Sequence, residues 1–114
     1  MFDFEKLEVY KRARNFNQEI YMFLHEKSFD RFTHDQLKRA SYSIMLNIAE
    51  GSGRFTRRDK RNFYVISRGS VFECIAIFDL LKITEQINEA VFNSFYGKLE
   101  EISKMLYALI RSLD

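Results

Sequence analysis

Apolar residues recur along most of the chain in alternating steps of three and four. That spacing lays side chains along one face of an α-helix. Phe92, Phe95, Leu99, Ile102, Leu106, Leu109 and Leu113 keep the rhythm without a fault, and so do Val9, Ala13, Phe16, Ile20 and Phe23. Leu37, Ala40, Ile44 and Asn47 form a further series with a polar last member. Phe63, Ile66, Ser70, Glu73, Ile77 and Leu80 form another, with two polar members. Breaks fall at Ser28 to Thr33, at Gly51-Ser52-Gly53 and at Gln86-Ile87-Asn88. Four helices are predicted, near 4–26, 34–51, 57–86 and 89–113.

Asp3, Thr33 and Asn88 are placed to cap three of these helices by accepting from free backbone N–H groups. The apolar pairs Phe2 with Leu7, Phe32 with Leu37 and Ile87 with Phe92 flank them as hydrophobic staples, and Gln36 completes a capping box with Thr33. Helices of 23 and 30 residues extend about 34 and 45 Å. With such short connections the economical fold is all-α, an antiparallel up-down-up-down four-helix bundle forming one domain over residues 1–114. The third helix exceeds what one bundle needs. Val71, Phe72, Cys74 to Phe78, Leu80 and Leu81 cover most of its circumference. A helix apolar all round is buried on more than one side, so self-association is expected.

Composition supports a packed domain. Hydrophobic residues make up 46% and charged residues 30%, with a net charge of +2, which excludes a disordered chain. There is no Pro and only 4 Gly, too little turn chemistry for many short strands. Cys74 is the only cysteine, so no disulfide forms within the chain. The stretch Met1 to Lys6 lacks signal-peptide character, and no apolar run approaches the roughly 20 residues of a membrane span. A soluble cytoplasmic protein is expected, with no membrane role.

Charge is uneven. Residues 1–72 hold 14 basic and 9 acidic groups, net +5, and residues 73–114 hold 4 and 7, net −3. The densest cluster is Arg54, Arg57, Arg58, Lys60 and Arg61 against Asp59 alone. With Thr56 as cap, Arg57, Arg58 and Lys60 fill the first turn of the third helix, the wrong end for cations. Free N–H groups, the Gly51-Ser52-Gly53 loop and several guanidinium groups suit phosphate, with Phe55 as a stacking aromatic. The plainer reading is a solvated loop or a contact between subunits. Asn47 and Glu50 are expected level with Arg57 to Arg61, with Glu50 paired to Arg57 or Arg61. Ser70 and Glu73 are expected level with Lys38, with Glu73 seeking Lys38, Arg39 or Arg68. Gly69 beside Ser70 permits close helix approach.

Signs of catalysis are few. His25 and His34 lack metal-ligand spacing, so no metal or other cofactor is expected. Cys74 lies in an apolar run that suits an inert thiol. Gly51-Ser52-Gly53 follows a helix and lacks the Gly-Lys of a P-loop. No catalytic residue is assigned, and the chain reads as a non-enzyme.

The run Asn47-Ile48-Ala49-Glu50-Gly51-Ser52-Gly53-Arg54, the basic cluster after it, and Arg68-Gly69-Ser70 with Glu73 resemble the four-helix bundle protein family, also called 23S rRNA intervening-sequence proteins. Phe4 to Tyr10 and Lys104 to Ile110 fit the same family. Many relatives carry Ser-Ile-Pro-Ser where this chain has Ser43-Ile44-Met45-Leu46, so a straighter second helix is expected. The resemblance implies small bacterial bundles, some assembling as ring-like homopentamers and some encoded within rRNA genes. It also implies kinship with a retroelement accessory protein that binds nucleic acid and a reverse transcriptase. The expected function is a non-catalytic, homo-oligomeric accessory that binds RNA or DNA. Arg54, Arg57, Arg58, Lys60 and Arg61 would contact phosphates, and Asn47, Glu50, Arg68, Ser70 and Glu73 would serve as structural polar residues. A ribosomal component or a reverse transcriptase is the implied protein partner. The alternative is a protein-interaction scaffold with no nucleic-acid role.

Overall fold

A computed structural model describes residues 1–114 as four α-helices and one short 3-10 turn, with no strand. The turn covers Asp3–Lys6. Helix α1 runs Glu8–Glu26, α2 Arg31–Ser52, α3 Arg57–Ile83 and α4 Glu89–Arg111. All four expected helices are present, and α2 is unbroken through Met45. The helix starts differ in detail. Asp3 lies inside the 3-10 turn, and α1 begins after Leu7 without a side-chain cap. Asp30, not Thr33, caps α2: its carboxylate accepts from the Thr33 N–H at 2.7 Å, which holds its pKa below the usual value. Aspartate accepts this bond as an anion and ranks above threonine as a cap. Thr56 and Asn88 cap α3 and α4, accepting from Asp59 N and Val91 N. Of the three staple pairs only Ile87 and Phe92 are both buried, whereas Phe2 and Phe32 are exposed. Helix α3 ends at Ile83, short of residue 86, because Glu85 turns into the left-handed region with φ 61°.

Each helix packs on its sequence neighbour, and α1 also meets α4. The bundle measures 44 × 24 × 21 Å. Phe16, Ile20, Leu37, Ile44, Ile48, Phe78, Leu99, Ile102 and Leu106 fill one continuous core. The stripes on α1, α2 and α4 lie inward over most of their length, with Asn47 half-buried and Ile110 replacing Leu109 as the last fully buried position on α4.

The stripe on α3 does not. Its buried face is Tyr64, Ser67, Ser70, Val71, Cys74, Phe78 and Leu81. Ile66 and Leu80, expected inside, are 44% and 60% exposed. Two serines set this rotation. Ser67 Oγ donates to the Ile44 carbonyl at 2.7 Å, and Ser70 Oγ donates to Ser43 Oγ at 2.7 Å. Ser70 thus lies level with Ser43 rather than Lys38. A satisfied hydroxyl lets a small polar residue occupy a buried helix contact. The other side of α3 is left apolar: Val65, Phe72, Ala76, Leu80 and Ile83 are exposed, with Gly69 in the same row. Their steps of four and three make a stripe about 27 Å long.

The close approach of α2 and α3 belongs to Gly51, not Gly69. A Cβ on Gly51 would stand 2.9 Å from Tyr64 Cε1 and 3.0 Å from Phe63 Cβ, whereas one on Gly69 would meet nothing within 4 Å. Gly51→Ala should therefore lower stability by about 1–3 kcal/mol through overpacking. Gly97→Ala, on an open face of α4, should leave it unchanged or raise it by about 0.5–1 kcal/mol through helix propensity. Thermal denaturation of the two variants distinguishes the sites.

Candidate functional site

The basic cluster gathers at one end of the bundle, where α2 ends, α3 begins and α4 ends. Gly51 brings α2 against Tyr64, and Thr56 starts α3 after a four-residue loop of Gly53, Arg54, Phe55 and Thr56. A seam of small polar groups continues this contact. Asn47 Nδ2 donates to the Ser43 carbonyl at 2.8 Å and to Ser43 Oγ at 3.0 Å, and Ser43 Oγ also receives Ser70.

Each cation has its own setting. Arg54 pairs with Glu50 at 2.6 Å and lies over the Phe63 ring, 4.5 Å from its centre. The expected pairing of Glu50 with Arg57 or Arg61 is therefore overturned: Arg54 stands four residues on along the same side of the chain and reaches it first. Arg57 Nη2 donates to the Ser112 carbonyl at 3.0 Å, and Lys60 Nζ donates to the Ser52 carbonyl at 2.8 Å. Arg61 Nε meets Asp114 Oδ1 at 3.0 Å, and Arg111 Nε meets Asp114 Oδ2 at 3.3 Å. Arg58 has no hydrogen-bonded partner and opens, with Asp59, Arg61 and Asn62, onto an exposed hollow. Phe55 is fully exposed beside them.

These partners explain why cations sit at the start of α3. The same end of the bundle carries the C-termini of α2 and α4, whose last carbonyls lack helical partners and whose dipoles favour positive charge. Lys60 and Arg57 satisfy one such carbonyl each. Carbonyls are neutral, so both cations keep their full charge. With Arg58 they leave this end strongly positive: Arg54, Arg57, Arg58, Lys60, Arg61 and Arg111 face Glu50, Asp59 and Asp114.

Arg68 is placed differently. Its guanidinium lies 4.8 Å from the Phe72 ring centre and 5.5 Å from that of Tyr107, at the edge of the apolar stripe on α3. It has no ion-pair partner, and its buried Nε is unsatisfied. Glu73 instead pairs with Arg39, one of its three expected partners. His25 and His34 line a hollow between α1 and α2. No group of three His, Cys, Asp or Glu side chains is placed to hold a metal ion. No helix is long and apolar enough to cross a membrane. Sequence reading missed Ser43 and Ser67, and the helical spacing of Ser67 with Ser70 was the signal that could have found Ser67.

The family model described as 23S rRNA-intervening sequence protein matches residues 5–108. The fold is similar to the solved structure of a protein of unknown function from the S23 ribosomal protein family of Bacteroides thetaiotaomicron. That match has 28% sequence identity and a TM-score of 0.81, and covers 90% of this chain and 97% of the other. No match was found among curated proteins.

Cys74 faces the core beside Glu73. Burial first, then the Glu73 charge, pushes its thiol from 9.0 up to about 12, with Arg39 opposing weakly. The folded protein should leave Cys74 unmodified by a thiol reagent at pH 8, and denaturant should expose it. Because the folded value is raised, the neutral thiol favours folding below pH 9.0, and that contribution falls away as pH rises towards about 12. Denaturant midpoints measured from pH 8 upward check the sign against Cys74→Ala.

Proposed function

The chain belongs to the 23S rRNA-intervening sequence protein family, and from that premise we propose a non-catalytic accessory bundle that self-assembles and holds the phosphate backbone of RNA or DNA. The reading takes the helices as an antiparallel up-down-up-down bundle. The contacts Gly51 with Tyr64, Ile44 with Ser67, Ser43 with Ser70 and Arg39 with Glu73 support this, since one number falls as the other rises. The observation that carries the nucleic-acid reading is the joint exposure of Phe55, Arg57 and Arg58, with the half-buried Lys60 beside them and all three cations uncompensated in charge. Phosphates take the cations, and an unstacked base takes the ring. Arg54 and Arg61 join them from their ion pairs with Glu50 and Asp114, which are exposed and therefore weak.

Self-assembly rests on the outward stripe of α3. Phe72, Leu80 and Ile83 are 53%, 60% and 66% exposed, alongside a guanidinium at Arg68 that lacks a partner. A second copy covers the stripe and brings a carboxylate to Arg68 from the acidic half of its sequence. On the family resemblance, the assembly we propose is a homopentameric ring in the cytoplasm, with a ribosomal component or a reverse transcriptase as companion. A ring repeats the basic end five times, which multiplies phosphate contacts. The internal pairs at Glu50 and Asp114 favour a second reading, a protein scaffold whose cluster is purely structural.

Fluorescence anisotropy with a single-stranded oligonucleotide separates the two. The accessory reading predicts affinity that falls with salt, with a log–log slope of about 0.7 per phosphate contact. Arg57→Gln with Arg58→Gln makes the slope shallower, and Phe55→Ala weakens binding by about 1–3 kcal/mol if one base stacks. Affinity indifferent to salt and to these changes supports the scaffold. Ala76→Glu, which charges the middle of the stripe, should dissociate the assembly while the subunit stays helical.

A further inference from the structure

Running from mid-bundle towards the end opposite the basic cluster, α1 and α2 line an open hollow of about 230 Å³. Its floor is Asn17, only 9% exposed. The Asn17 amide nitrogen donates to the Ala13 carbonyl at 3.0 Å and to the Ser41 carbonyl at 2.7 Å. Both neighbours are acceptors, so the nitrogen must face them. That leaves Oδ1 without a partner in the chain, as an acceptor at the base of the hollow. This acceptor is open to the hollow, where a hydroxyl donor of a bound molecule can reach it.

The walls are apolar and flat. Ile20 and Leu24 are buried there, and the Tyr21 ring stacks on the His25 imidazole, with centres 5.9 Å apart and planes at 15°. The mouth carries one cation, Lys38. Lys38 Nζ has no hydrogen-bonded partner, and His34 Nδ1 meets Asp35 Oδ1 at 3.2 Å. No carboxylate lines the hollow. Lys38 lies three residues before Ser41, whose carbonyl holds the Asn17 amide, so floor and mouth are set about one helical turn apart along α2.

We propose that this hollow binds a small organic anion: a flat apolar body, a carboxylate at the mouth against Lys38, and a hydroxyl donor at the far end for Asn17 Oδ1. The three requirements come from separate residues, and together they disfavour cations, neutral amides and bulky ligands. The site is independent of the basic cluster and of assembly, since it shares no residue with either.

Nuclear magnetic resonance titration of the full chain with 4-hydroxybenzoate tests it. Binding should saturate with Kd of about 1 mM or tighter, and shifts should centre on Asn17, Tyr21, Lys38 and Tyr42. Benzoate, which lacks the donor, should bind about tenfold more weakly. The neutral 4-hydroxybenzamide, or Lys38→Gln with the original ligand, should lose about fivefold. Absence of saturation by about 10 mM overturns the proposal. So do shifts centred on Arg57 to Arg61, or equal affinities for all three probes.

Discussion

Helix α3 lies against α2 along most of its length, and the closeness and rotation of that pair govern the rest of the molecule. Gly51 removes the side chain that would strike Tyr64. Ser67 and Ser70 then bind α3 to α2 through hydroxyls that donate to Ile44 and Ser43. Each such bond contributes only about 0.5–1.5 kcal/mol, but an unpaired hydroxyl in the same place would cost more. The seam thus selects one rotation of α3. Tyr64, Val71, Cys74, Phe78 and Leu81 turn inward, and Val65, Phe72, Ala76, Leu80 and Ile83 turn out.

The same geometry gives the basic end its double character. Three helix ends meet there, and two of them are C-termini. Cations that would oppose the start of α3 answer the carbonyls of Ser52 and Ser112 instead. Structure alone therefore accounts for where Arg57 and Lys60 point. It does not neutralise them, and Arg58 and Phe55 have no structural duty visible in their contacts. The proposed polyanion binding uses what the packing leaves over.

The number and order of helices were legible in the sequence because Val9 to Phe23 and Phe92 to Leu106 follow helical spacing closely. The α3 face was not. Ile66 and Leu80 are large and apolar and drew the stripe to themselves, while Ser67 reads as a surface residue until its hydroxyl finds Ile44. Periodicity ranks side chains by hydrophobicity and cannot see a hydrogen bond across helices. The cap of α2 shifted for a related reason: Asp30 and Thr33 both suit the role, and only the backbone chooses between them. At the basic end, residue types were legible but partners were not. Glu50 meets Arg54 because the two stand four residues apart across the end of α2, and Arg61 meets Asp114 because of how α4 ends. The α1–α2 hollow left almost no trace, since Asn17 becomes an acceptor only when two carbonyls claim its nitrogen.

The outward stripe on α3 is the feature on which the proposed assembly stands or falls. Sedimentation equilibrium across a range of concentrations measures it directly. The account predicts a mass that is a fixed multiple of 13.7 kDa, five-fold for the ring. A mass of 13.7 kDa at every concentration would contradict it.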